Sequence, residues 1–114
     1  YPDVADRIAA ECAEVMGDRL PTAEDAARLP YLRMVISESM RLYPPVYVMD
    51  RTPRAPLDLG GYAVKPGDFV VVSPFTMQRR AQHFPDPERF DPERWTADET
   101  AKRPRFSYYP FGAG

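Results

Sequence analysis

Apolar residues recur along this chain with two different spacings, and the change falls near residue 44. Up to residue 43 they lie three and four apart, which is typical of amphipathic helices. From residue 44 onward they form short runs separated by prolines and glycines, which is typical of strands, turns and ordered loops. We therefore predict an α+β chain, with helices over residues 1–43, strands and a hairpin over 44–74, and a proline-rich loop over 75–114.

Two helices are predicted before residue 30. The first runs over about residues 3–16, with Asp3 as its N-cap and Gly17 as its C-terminal stop. The second is short. Thr22 would open it as part of a capping box, with Asp25 in place of the preferred Glu, and Pro30 would end it.

The third helix, over about residues 31–43, has the clearest apolar stripe, and the prolines at 44 and 45 stop it. Glu38 and Arg41 lie three residues apart, opposite this stripe on a helical wheel. Taken alone, they are a solvated surface pair worth about 0.3–0.5 kcal/mol. The stripe consists of Leu32, Val35, Ile36, Ser39, Met40 and Tyr43.

Three strands are predicted in the second part of the chain. Residues 46–49 form the first, and residues 57–64 form a second that bends at two glycines. Lys-Pro-Gly-Asp at 65–68 fits a type II turn. The β-branched run at 69–72 predicts a strand buried on both faces, so that residues 62–73 form a hairpin.

The segment 84–95 is too rich in proline for regular structure, and prolines number 14 in the whole chain. It still carries three aromatic residues, Phe84, Phe90 and Trp95. These predict that the loop is anchored to an apolar core.

Composition excludes several classes of function. The 114 residues suffice for one small domain, and the net charge is −2 with 15 scattered basic residues, which is no footprint for nucleic acid. No apolar run reaches the roughly 20 residues of a membrane helix, so a membrane segment is not expected here. One cysteine excludes an internal disulfide. The mean hydropathy of −0.49 favours a cytoplasmic protein.

Several short motifs occur in a specific order along the chain. They are Glu38-x-x-Arg41, Tyr43-Pro44-Pro45, Phe90-x-Pro92-x-Arg94-Trp95 and Phe111-Gly112-Ala113-Gly114. Each is weak alone, but the ordered set resembles the cytochrome P-450 family, the heme-thiolate monooxygenases. The similarity implies the J, J′ and K helices over residues 1–43, then the sheet hairpin, then the meander loop and the start of the heme-binding loop. It covers the whole chain as a partial P-450 domain.

The resemblance gives roles to four charged residues. Glu38, Arg41 and Arg94 would form a buried charge network that holds the meander loop to the K helix, a structural role. Arg51 would pair with a heme propionate, because a guanidinium fork suits a carboxylate. Without the resemblance, Arg51 would be read as a solvated arginine at the end of a strand.

The resemblance also implies roles for the apolar segment 46–49 and for the last residues of the chain. Val46, Tyr47, Val48 and Met49 would contact substrate, although each could equally be strand core. Phe111, Gly112 and Gly114 match the heme-binding loop, whose cysteine ligand would follow Gly114. The chain is thus expected to be an inactive fragment with no catalytic or metal-binding residue of its own.

Two features qualify these roles. Cys12 lies on an apolar helix face far from the loop and is expected to be a small apolar residue, not the thiolate ligand. The chain has Gln78-Arg79 where the family commonly has His-Arg, so a histidine contact to a propionate is not expected here.

The function implied is that of a heme b enzyme. It would insert one oxygen atom from dioxygen into a small lipophilic organic substrate, with electrons from a ferredoxin or a flavoprotein reductase. A non-catalytic, proline-rich binding or structural module is the alternative. A carboxylate-based hydrolase fits poorly, because no carboxylate pair comes with a nucleophile or an apolar pocket.

Overall fold

The computed structural model describes residues 1–112, which fall into two compact units. Unit 1 comprises Tyr1–Met40 and Arg89–Arg103. Unit 2 comprises Arg41–Glu88 and the residues from Pro104 onward. Helices dominate the first third and short antiparallel strands follow, so the predicted α+β class is confirmed.

Ten short elements make up the described chain. In order they are α1 (Pro2–Met16), the 3₁₀ helix η1 (Ala23–Arg28), α2 (Pro30–Leu42), β1 (Met49–Arg51), β2 (Leu57–Leu59), β3 (Tyr62–Val64), β4 (Val70–Val72), α3 (Pro74–Met77), the 3₁₀ helix η2 (Pro92–Trp95) and α4 (Ala97–Lys102).

Helix α1 begins one residue earlier than predicted. Tyr1 is the N-cap and Pro2 occupies the first helical position, where its missing N–H costs no hydrogen bond. The prediction of Asp3 as the N-cap is therefore wrong, although its carboxylate lies in the first turn, where the helix dipole favours negative charge. Gly17 ends the helix with φ 58°, as predicted.

The capping box at Thr22 is confirmed, but the helix that it opens is a 3₁₀ helix. The backbone N–H of Thr22 donates to Asp25 Oδ2 at 2.8 Å. Arg19 donates from both terminal nitrogens to the same carboxylate, at 2.6 and 2.5 Å. Asp25 is buried although both partners are exposed, and its single side chain ties the helix start to the preceding loop.

Helix α2 is capped by a side chain from α1. Glu11 accepts the backbone N–H of Tyr31 at 2.8 Å and that of Leu32 at 2.9 Å. These two donors have no partner within the first turn of the helix, so the carboxylate supplies what the local sequence lacks.

The predicted polar face of α2 is not a solvated face. Glu38 and Arg41 are both 0% exposed, whereas Ile36 and Tyr43, members of the apolar stripe, are exposed. The helical wheel fails here because it assumes that charged side chains face water. Buried charges are tolerated when they are fully hydrogen bonded.

The strands of unit 2 form two separate antiparallel pairs, β1 with β4 and β2 with β3. The predicted hairpin over 62–73 is therefore wrong, because β3 and β4 pair with earlier strands rather than with each other. The predicted strand over residues 46–49 is largely wrong too. Val46 donates its N–H to Pro110 O, and Tyr47 O accepts the N–H of Phe75 in the first turn of α3, so these groups do not bond to a neighbouring strand.

Turn chemistry explains the remaining differences. Gly60 and Gly61 both have positive φ, 61° and 90°, and make a two-residue hairpin turn of type I′ geometry where a single bent strand was predicted. The turn at 65–68 is confirmed, with Gly67 at φ 96° and an Asp68 N–H bond to Lys65 O at 3.1 Å.

Val71 is 62% exposed, so the predicted burial of β4 on both faces is wrong.

The proline-rich segment 84–95 is irregular up to residue 91, as predicted, and then forms η2, an unpredicted 3₁₀ helix. Phe84 is buried in unit 2, under the guanidinium of Arg41 at 5.2 Å from the ring centroid. Phe90 stacks on Tyr1 in unit 1 at 4.9 Å between centroids. No helix within residues 1–112 has the length and apolar character that a bilayer span needs.

Candidate functional site

Unit 2 contains an open, mainly apolar cavity of about 350 Å³, hereafter the unit-2 cavity. Its lining residues are Met49, Arg51, Val72, Met77, Phe106 and Tyr109. Met49 and Arg51 belong to the residues predicted from the sequence, and the other four were missed.

The β1–β4 pair builds one wall of this cavity. Met49 and Arg51 are two residues apart on β1, so their side chains share one face. Met49 is the register partner of Val72 on β4, which places the two side chains next to each other. Arg51 Nη1 also donates to Asp50 O at 2.8 Å.

Phe106 reaches the cavity from a strained turn. Its φ is 64°, a left-handed conformation that is uncommon for an aromatic residue and costs about 1–2 kcal/mol. Ser107 fixes the turn, because its N–H and its hydroxyl both donate to Pro104 O, at 3.2 and 2.8 Å.

Tyr109 is buried at the cavity wall, and this burial raises the pKa of its phenol. Its carbonyl oxygen accepts the N–H of Gly112 at 3.0 Å, which closes a turn over residues 109–112, hereafter the 109–112 turn. Gly112 has φ 94°, and a Cβ there would lie 3.1 Å from Met49 Cε. Glycine is thus favoured by the positive φ, and a side chain there would have to displace the end of the Met49 side chain.

The predicted heme-loop residues differ in their contacts and exposure. Gly112 packs against Met49 of the cavity wall, whereas Phe111 is largely exposed. Gly114 lies outside the described residues. Of the predicted substrate residues, Met49 lines the cavity, while Tyr47 packs against Phe75 at 5.3 Å between ring centroids.

Val46 and Val48 are not brought into the lining of the unit-2 cavity within the part of the chain that is described. Val46 is half-buried, and Val48 is exposed. The four predicted substrate residues therefore do not share one surface of this cavity.

Glu38 organises a second cluster, in unit 1. Its Oε1 accepts the backbone N–H of Asp91 at 2.9 Å and lies 3.5 Å from Arg94 Nε. Its Oε2 accepts Trp95 Nε1–H at 3.0 Å. A single buried carboxylate on α2 therefore contacts three groups of the segment around η2, which are a backbone N–H, a guanidinium and an indole N–H.

Arg41 contacts Gln78 in unit 2. Its Nη1 donates to Gln78 O at 3.0 Å, and its own carbonyl oxygen accepts Gln78 Nε2–H at 3.1 Å. Gln78 was noted in the sequence only as a departure from the family pattern. The joint network of Glu38, Arg41 and Arg94 stays a prediction.

Within residues 1–112, no group of three or more His, Cys, Asp or Glu side chains is arranged to hold a metal ion. Cys12 is a half-buried free thiol on α1.

Comparison with known proteins identifies the family. The family model described as Cytochrome P450 matches residues 1–114. Cyclooctat-9-en-7-ol 5-monooxygenase of Streptomyces melanosporofaciens is 44% identical over 114 residues, which is 100% of this chain and 25% of that protein. Protein LUTEIN DEFICIENT 5, chloroplastic, of Arabidopsis thaliana is 38% identical over 116 residues, 99% of this chain and 20% of that protein.

The fold agrees with a solved structure. Retinoic acid bound cyanobacterial CYP120A1 superposes with a TM-score of 0.90 at 33% identity, over 99% of this chain and 26% of that one. The chain thus spans about a quarter of the length of the relatives that it matches. Because the family model covers every residue, the chain belongs to the cytochrome P450 family.

Proposed function

We propose that the full-length protein containing this chain is a heme-dependent monooxygenase that inserts one oxygen atom from dioxygen into a small lipophilic organic substrate. Family membership over the whole chain supports the enzyme class over a proline-rich binding module. The 114 residues by themselves would not turn over substrate, because they span about a quarter of the length of the relatives.

The P450 family implies heme in the full-length protein, and the unit-2 cavity fits one part of that group. The cavity combines the guanidinium of Arg51 with apolar and aromatic side chains, as a propionate-bearing porphyrin edge requires. Gly112 keeps the neighbouring backbone free of a side chain. Arg51 in an otherwise apolar lining is the single observation that carries the proposal.

When bound, heme supplies the activation of dioxygen. The residues of this chain would bind the heme and orient it. Arg51 would hold a propionate by a charge-assisted bond, which is stronger than a neutral one. Val72 and Met77 would exclude water from the porphyrin edge, and this raises the strength of the Arg51 contact.

The overall reaction needs an electron donor. A C–H bond, one dioxygen molecule, two electrons and two protons become a C–OH bond and one water. We propose a ferredoxin or a flavoprotein reductase as the donor, in keeping with the family. A cytoplasmic location is part of the proposal, supported by the mean hydropathy of −0.49.

The substrate class rests on apolar side chains and on relatives. Val46, Val48 and Met49 offer apolar surface near the start of β1. One relative is named for acting on cyclooctat-9-en-7-ol, and one solved relative has retinoic acid bound. A lipophilic substrate of that kind is what we propose for this protein.

Isotope labelling tests the proposed reaction. The full-length protein, a ferredoxin with its reductase and a panel of lipophilic compounds that includes cyclooctat-9-en-7-ol and retinoic acid would be incubated under ¹⁸O₂, and products would be read by mass spectrometry. We expect one ¹⁸O atom in each product molecule and none after incubation in H₂¹⁸O under ordinary dioxygen. Label that comes from water contradicts a monooxygenase. No product together with no bound heme also contradicts it and favours the binding module.

A further inference from the structure

Gln78 is a buried polar residue of unit 2 that has no part in the proposed heme contacts. Its side chain is 0% exposed, and it follows directly after α3. Its backbone N–H donates to Pro74 O at 2.8 Å, and its backbone carbonyl accepts Arg41 Nη1–H. Both ends of its side-chain amide are bonded as well, so each of its polar groups has a partner.

The two partners of the side-chain amide fix its orientation. Nε2 donates to the carbonyl oxygen of Arg41 at 3.1 Å, and Oε1 accepts the backbone N–H of Tyr109 at 2.9 Å. A carbonyl can only accept and an N–H can only donate, so the opposite orientation of the amide would lose both bonds. The site therefore requires one donor and one acceptor on the same short side chain.

The acceptor end of Gln78 acts on the start of the 109–112 turn. Tyr109 contributes its ring to the unit-2 cavity and its carbonyl to Gly112 N–H. A second attachment of the turn is the bond from Val46 N–H to Pro110 O at 3.3 Å. The Gln78 bond is shorter and fully buried, which makes it the stronger of the two.

We propose that Gln78 is a positioning residue, which ties the 109–112 turn to the C-terminal end of α2 and so sets the cavity wall at Tyr109 and the approach of Gly112 to Met49. This role rests on the proposed heme-binding function. Gln78 itself does not line the cavity. It acts through the backbone of Tyr109, so its loss would loosen the wall without removing any group from the lining.

Hydrogen exchange of the Tyr109 amide in the full-length protein tests the bond directly. In the wild type we expect this amide to be among the slowest to exchange in residues 104–112. Gln78→Met keeps the side-chain length but removes both polar ends, and it should speed exchange at Tyr109 about tenfold or more. Gln82→Met, at an exposed glutamine in the same segment, is the matched control.

A Tyr109 amide that exchanges like an exposed one in the wild type, or at an unchanged rate in Gln78→Met, overturns the proposal. Even if Gln78→Met does not fold, the exchange rate of the Tyr109 amide in the wild type shows whether the amide is protected by this hydrogen bond.

The rate of heme loss tests the link to the cofactor. We expect heme to dissociate about tenfold faster from Gln78→Met and at the wild-type rate from Gln82→Met. Equal rates in the two variants, with fast Tyr109 exchange in the first, would reduce Gln78 to a purely structural residue. A wild type that takes up no heme contradicts the proposed function, and exchange at Tyr109 then still decides whether the bond exists.

Discussion

At the scale of single residues, buried polar side chains hold backbone that has little regular structure of its own. Glu38 accepts the backbone N–H of Asp91 and the indole N–H of Trp95. Gln78 does the same for Tyr109. Both held segments contain proline, which cannot donate a backbone hydrogen bond. Side chains therefore supply the order that a helix or a sheet would otherwise supply.

Glu38→Gln tests this role of the buried carboxylate. The substitution removes the charge next to Arg94 and puts an amide donor where only an acceptor fits, so we expect it to lower the free energy of unfolding by about 2–4 kcal/mol. Urea unfolding of the full-length protein, followed by tryptophan fluorescence, would measure it.

Glu88→Gln is the control for Glu38→Gln. Glu88 also pairs with an arginine, at 3.2 Å from Arg79 Nε, but its side chain is 72% exposed. An exposed pair contributes about 0–1 kcal/mol, so the control should change little. Equal effects of the two substitutions would show that Glu38 organises nothing.

The burial of these residues was predictable only in part. The helical wheel placed Glu38 and Arg41 on the polar face, and only the ordered motifs argued for burial. Their partners are 37 residues away in sequence for Arg41 and 53 for the Glu38–Asp91 bond. A local pattern contains no information about such distant partners.

At the scale of elements, the sequence predicted several helix ends and turns correctly, but it did not predict which strands pair. Thr22, Gly17 and the Lys-Pro-Gly-Asp turn behave as their chemistry predicts, because each depends on neighbours within four residues. Strand pairing joins β1 to β4 across an intervening hairpin. Three-residue strands have too little periodicity to specify a partner.

The capping box at η1 should make this element sensitive to acid. Hydrogen bonds from Arg19, and then from the backbone of Thr22, hold the pKa of the Asp25 carboxyl well below its usual range. A carboxyl with a lowered pKa in the folded state stabilises the fold above its unfolded pKa of about 3.9, and this contribution is lost as the pH falls further.

Asp25→Asn should therefore weaken the protection of the η1 amides at about pH 7, and the difference from the wild type should shrink below about pH 4. Hydrogen exchange across a pH series, corrected for intrinsic rates, measures this difference. Asp18→Asn, at an exposed position nearby, is the control. A difference that is constant with pH would show that the charge of Asp25 is not what holds the element.

At the scale of the whole molecule, the cavity draws its lining from segments far apart in the chain. Met49 and Arg51 could be predicted, because they follow a recognisable helix exit. Val72, Met77, Phe106 and Tyr109 could not, because only the folded chain brings them together. The positive φ of Phe106 is likewise a product of tertiary structure, since no glycine or asparagine marks that turn.

Heme titration of the full-length protein and of an Arg51 variant tests most directly whether the unit-2 cavity forms part of a heme site. We predict one heme per chain in the wild type, heme affinity about tenfold weaker or more in Arg51→Met, and unchanged affinity in Arg54→Met, an exposed arginine in the same segment. Absence of heme binding in the wild type, or equal affinity in both variants, would contradict this role of the cavity.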